Sequence, residues 1–167
     1  IQAWNIIKSK NLSPKIKLII MGVDFGFQDE MLKMIDQMNL SNDIIIIKKP
    51  PREDVFAAYK ACLFLVLPSR WELSPLTPLE GFAFKKTSIS TTAHGIPYTL
   101  TDKKNAILVE PENYNQLSDA IYNLINNKNL RDNLANNGYR LVQDECNSTK
   151  MAENVLKVYE DTLDSAK

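Results

Sequence analysis

The sequence predicts a doubly wound, Rossmann-like α/β domain with a parallel sheet, and three observations lead to that fold class. Short runs that are apolar throughout alternate with segments of helical period over residues 16–109. Those runs do not alternate polar with apolar, as expected where helices cover both faces of a sheet. From residue 114 onward the period is helical only. Strand–helix alternation implies right-handed crossovers between parallel neighbours, giving about five or six strands.

Ala3, Ile6 and Ile7 share one face of an opening helix. Ile16–Met21 is a β-branched-rich run stopped by Gly22, and reads as the first strand. Phe27, Met31, Met34, Ile35 and Met38 recur at helical spacing, and the methionines read as core. Four isoleucines, Ile44–Ile47, form the second strand and end before Pro50-Pro51. Val55, Phe56 and Tyr59 mark the next helix face, and Leu63–Leu67 the third strand. After a polar loop over residues 68–77, Thr77-Pro78 opens a short helix. Thr87–Thr91 and Ala106–Val109 are the fourth and fifth strands, separated by a turn at Gly95 and Pro97. The closing helices carry apolar stripes through Leu117–Ile125, through Leu130, Leu134 and Leu141, and through Met151, Val155, Val158 and Tyr159.

The totals narrow the function. The chain of 167 residues suffices for one domain with a core. Its 20 basic and 20 acidic side chains cancel, which argues against nucleic-acid binding driven by net charge. No apolar run reaches the ~20 residues that span a bilayer. A cytoplasmic setting is expected, compatible with peripheral attachment of the whole protein to a membrane. Cys62 and Cys146 form no metal-ligand spacing and read as reduced, buried thiols. His94 is the only histidine, so no histidine-based triad or metal cluster is available. No dinucleotide or P-loop glycine pattern occurs, and Gly22 and Gly26 read as a turn. There is no Asp-x-Asp pattern that could hold a metal, which favours metal-independent chemistry, and no cofactor is expected. Ile1 already lies in a helical stretch, and a longer protein is expected upstream.

In such sheets ligands bind beyond the carboxyl ends of the strands, here near residues 22–27, 48–52, 68–77 and 92–97. The segment from Ser69 to Glu80 is the most informative of these. Thr77 as N-cap, Pro78 at the first helical position and Glu80 at the third would make a capping box. The free amides of that first turn, with the helix dipole, offer a phosphate site. Glu72 precedes the turn and Glu80 lies within it, so one carboxylate flanks each side of a bound anion. Carboxylates there suit hydroxyl groups better than the phosphate itself. A phosphate between two hydroxyl-bearing groups describes a nucleotide-sugar.

Glu72 and Glu80 form an E-x7-E pair, and its context resembles the C-terminal domain of GT-B-fold, family 4 retaining glycosyltransferases (glycosyl transferases group 1). The resemblance also rests on Leu18–Gly22, on Arg52–Tyr59 followed by Leu63–Ser69, and on Leu79–Ala83 with Lys86 and Ser88–Thr91. Gly95-Ile96-Pro97, Asn105–Val109, Pro111 and the closing Met151–Leu163 extend it over nearly the whole chain. It implies half of a GT-B fold, a single nucleotide-sugar-binding domain over 1–167, whose N-terminal acceptor domain is absent. Glu80 would hold the ribose hydroxyls, and Glu72 would face the donor sugar as the catalytic-site carboxylate. The amides of Leu76 and Thr77 would cradle the diphosphate, and Ser74 would belong to the donor-binding set. Lys48 would lie beside the base, and Gly95 would keep its loop close to the sugar. The implied reaction moves a sugar from a nucleotide-diphosphate donor to a glycan or lipid-linked acceptor, as in polysaccharide biosynthesis. Configuration would be retained by front-face attack. The Arg and Lys that neutralise the leaving diphosphate in similar enzymes would lie upstream, so the isolated chain is expected to be nearly inert. One departure stands out: the family has Gly-Phe after the first glutamate, and this chain has Leu73-Ser74.

The residues alone leave plainer readings open. Glu80 could serve only as a cap and Glu72 as a solvated loop carboxylate. Lys48, Lys49 and Arg52 read as a solvated face rather than a phosphate clamp. His94 reads as a loop residue, whether lining the cleft or standing by. A sugar-nucleotide epimerase of the same fold, and a non-catalytic α/β interaction domain, are the alternative functions.

Overall fold

A computed structural model describes residues 1–10 and 16–165. Among these, the elements run α1 (Gln2–Lys8), β1 (Leu18–Gly22), α2 (Gln28–Gln37), β2 (Ile44–Lys48), α3 (Arg52–Ala61), β3 (Leu65–Leu67) and α4 (Leu76–Ala83). They continue with β4 (Ser88–Thr91), a 3-10 turn (Ile96–Tyr98), β5 (Ala106–Val109), α5 (Tyr114–Asn126), α6 (Lys128–Asp144) and α7 (Ser148–Ser165). The expected alternation of strand and helix is present. Element edges shift by one or two residues from the apolar runs. The third strand starts at Leu65 rather than Leu63, because Leu63 is exposed and pairs with nothing in the ladder.

All strand pairs are parallel. β1 pairs with β2 from Leu18↔Ile44 to Gly22↔Lys48, and β4 lies between β3 and β5 in a second ladder. One core serves both ladders. Ile44 of β2, Ile89 of β4 and Val109 of β5 pack with Trp4 and Ile7 of α1, Ile35 of α2 and Ile121 and Leu124 of α5. α1 thus fills a gap against α5 that would otherwise expose apolar surface. Central β4 is buried along its length although it reads Ser-Ile-Ser-Thr. Its small hydroxyls permit tight packing, and the preceding Thr87 hydroxyl donates to the Asn105 carbonyl at 3.0 Å.

A second core fixes α4. Phe82 is fully buried among Ala93, Ile96, Leu100 and Ala106, and its ring lies over Gly138 of α6. The downstream helices start on local signals. Asn113 and Asn127 accept amide hydrogen bonds from Gln116 and Leu130 at 3.0 and 2.9 Å, the usual work of an Asn cap.

Two expectations change. Cys62 is half-buried and Cys146 exposed, so only the first approaches a buried thiol; burial pushes its pKa up. The apolar stripe on α7 is real, but no described residue of that helix is buried, and Met151, Val158, Tyr159 and Leu163 face outward. Among the described residues, no helix is long and apolar enough to cross a membrane.

Candidate functional site

The carboxyl end of β3 leads through residues 68–75 into α4, and the carboxyl end of β4 leads through residues 92–95 into the 3-10 turn. These two loops are tied together. The buried Thr91 hydroxyl donates to the Ser69 carbonyl at 2.6 Å, and the Gly95 amide donates to the Glu72 carbonyl at 2.9 Å. The Ser69 hydroxyl donates to Glu72 Oε1 at 2.8 Å. Glu72 is therefore fixed through both its main chain and its carboxylate.

α4 corrects the capping box. The helix begins at Leu76 behind Pro75, two positions earlier than Thr77-Pro78 suggests, and no side chain among the described residues caps it. Pro75 supplies extended backbone at the cap, and the buried Pro78 falls at the third helical position. Pro78 has no N–H, so the donors left open in the first turn are the amides of Leu76 and Thr77. Both residues are exposed. Glu80 lies in the second turn, too far along to reach the cap.

The Glu80 carboxylate instead turns to α3. The Tyr59 hydroxyl donates to its Oε2 at 2.7 Å, and Arg52 Nη2 stands 3.4 Å from Oε1. The Tyr59 ring stacks on Phe84 at 5.5 Å, and Arg52 lies over the Phe56 ring at 4.9 Å. Burial first, then the Glu80 hydrogen bond and charge, hold the Tyr59 phenol well above the ordinary tyrosine pKa. The phenol therefore remains a donor throughout the neutral range. Arg52 is exposed as a solvated residue would be, yet it is committed to Glu80. Tyr59→Phe should lower stability by about 1.5 kcal/mol, the worth of a hydrogen bond to a charged group. Urea melts of the two proteins measure it.

The other predicted positions fall around this centre. Ser74 is exposed just before the α4 tip. Lys48 is exposed at the end of β2, opposite Gly22. Lys49 (φ 45°) and His94 (φ 44°) occupy left-handed backbone at their loops. The His94 ring stands 6.2 Å from Trp71, an exposed indole beside Glu72. Leu73, where the resemblance expects glycine, is 71% exposed. The turn at Gly26 is as expected, but the start of α2 is filled by its own chain. Asp24 accepts amide hydrogen bonds from Gly26, Phe27 and Gln28 at 2.8–3.1 Å, and that first bond above all lowers its pKa. The tip of α2 is closed to an anion, while that of α4 is open. Tyr59, Ser69 and Thr91 escaped the sequence reading, because their partners come from other elements or through the main chain. Only the i, i+3 spacing of Ser69 and Glu72 is a local cue.

A parallel α/β domain closed by C-terminal helices is the fold of the C-terminal half of GT-B glycosyltransferases. Glycosyl transferases group 1 is the family whose profile matches residues 1–141, and the chain belongs to it. It is 32% identical over 152 residues to the uncharacterized glycosyltransferase MJ1178 of Methanocaldococcus jannaschii, covering 87% of this chain and 43% of that protein. The chain thus spans less than half the length of that relative. Among solved structures it is similar to the C-terminal domain of the glycosyl transferase group 1 protein LpcC from Francisella tularensis. That match has a TM-score of 0.78 and 29% identity, over 88% of this chain and 77% of that one. The fold is also that of Anabaena HepE in complex with UDP-glucose, with a TM-score of 0.83 at 17% identity over 96% of this chain and 44% of the other.

Proposed function

We propose that this chain is the donor-binding domain of a retaining glycosyltransferase that needs no metal and uses a nucleotide-diphosphate sugar. A second domain would bring the glycan or lipid-linked acceptor. The observation that carries the reading is the uncapped start of α4, with Glu72 in the loop before it and Glu80 in its second turn, each held by its own partners. In this arrangement the amides of Leu76 and Thr77, with Ser74, receive the diphosphate. Glu80 accepts from the ribose hydroxyls, since each of its oxygens keeps a lone pair beyond those used by Tyr59 and Arg52. Glu72 Oε2 accepts from the sugar, and Lys48 borders the base. HepE, which shares the fold, was crystallised with UDP-glucose, which makes a uridine nucleotide the first probe.

The outward apolar stripe on α7 is surface that a second domain could cover. In the whole protein, Glu80→Ala should weaken UDP, GDP or ADP binding at least tenfold by calorimetry. A variant that binds nucleotide normally and only melts earlier would leave Glu80 a structural residue and remove the ribose contact. Failure of the unaltered protein to bind any of the three would favour the interaction-domain reading.

A further inference from the structure

The Glu72 carboxylate uses its two oxygens differently. Oε1 accepts from the Ser69 hydroxyl at 2.8 Å, whereas no partner is recorded for Oε2 among the described residues. Ser69 is itself anchored, because its carbonyl accepts from Thr91, 2% exposed at the end of β4. A continuous chain of hydrogen bonds therefore runs from a rigid central strand to one carboxylate oxygen. A hydroxyl that donates to a carboxylate restricts its rotation and leaves the second oxygen to face outward. An unrestrained glutamate samples several rotamers, and fixing it would cost binding energy each time a ligand arrived.

We propose that Ser69 is the positioning residue of the donor-sugar subsite: it occupies Glu72 Oε1 so that Oε2 is presented, already oriented, to a sugar hydroxyl. The proposal rests on the donor-binding reading of the same site. Ser69 touches Glu72, not the nucleotide, so its effect should appear only when a sugar is attached.

The test compares paired ligands on the whole protein: UDP with UDP-glucose, GDP with GDP-mannose and ADP with ADP-glucose. In the pair that binds, the measured quantity is the affinity gained when the sugar is present. Ser69→Ala should reduce that gain about fivefold, the worth of one hydrogen bond, and leave nucleoside-diphosphate affinity unchanged. Ser69→Thr, which keeps the hydroxyl, should restore it. In a Glu72→Ala background Ser69→Ala should have no further effect, since two residues that act through one contact do not add. Equal loss for both members of a pair, or an undiminished sugar gain in Ser69→Ala, would overturn the proposal and leave the donor-binding reading standing. Absence of a sugar gain in the unaltered protein would overturn it as well. Failure of every diphosphate to bind would remove both.

Discussion

Gly95→Ala is expected to abolish the sugar-dependent part of donor affinity and to destabilise the fold. The backbone at Gly95 is ordinary, with φ −78°, so the requirement is space rather than conformation. A Cβ there would lie 1.6 Å from the Leu73 carbonyl oxygen and 2.5 Å from its carbonyl carbon. These are main-chain atoms of the opposing loop, which cannot rotate aside as a side-chain tip would. The loop after β3 must retreat, breaking the 2.9 Å bond from the Gly95 amide to the Glu72 carbonyl. Overpacking of this kind costs about 1–3 kcal/mol. For chemistry the displacement matters more, because a misplacement of about 1 Å at a reacting centre can cost roughly 100-fold in rate. The measurements are a urea melt and the sugar gain in the paired ligands described above. A fully retained gain would show that the two loops move as a unit, so that Gly95 does not set the position of Glu72.

The departure at Leu73 strains nothing in the loop. Its φ is not in the left-handed region, so the backbone there does not call for glycine, and its side chain is 71% exposed.

The sequence revealed the fold well where burial alone decides it. The apolar runs became parallel strands, and Ile44–Ile47 could hardly have been anything else, although one face of the β1–β2 ladder stays open at Ile19 and Ile45. Capping was less legible. Thr77, Pro78 and Glu80 match the local pattern of a capping box, yet Pro75 starts the helix two positions earlier, and the capping reading of Glu80 fails. Its true partners, Tyr59 and Arg52, lie 21 and 28 residues upstream. Nothing local in the sequence announces a contact made by helix packing. Tyr59 looked like a core aromatic and is one, but its hydroxyl also reaches the site. The α7 stripe shows the converse limit. Helical period reports that a face wants cover, not what covers it.

Phe82→Ala should be the most damaging single change in the core, at about 3–5 kcal/mol for a fully buried aromatic. Phe82 belongs to the helix whose tip and second turn form the candidate site, so the cavity would loosen the support of Glu80 as well. The partner surface makes the claim specific. A Cβ on Gly138 would lie 2.4–2.7 Å from three atoms of the Phe82 ring. Gly138→Ala alone therefore drives a methyl into a ring with no room to move, for about 1–3 kcal/mol, against a helix-propensity gain of about 1 kcal/mol. Combined with Phe82→Leu, which withdraws ring volume at the point of collision, the same alanine should become neutral or stabilising. The double-mutant cycle should accordingly show a coupling of about 1 kcal/mol or more in favour of the pair. Additivity would mean that α4 is not seated on α6 through this contact, and nucleotide affinity should then be indifferent to Gly138. With coupling, affinity and stability should fall together in Gly138→Ala and recover together in the double variant, because one ring both fills the core and levels the helix that meets the phosphate.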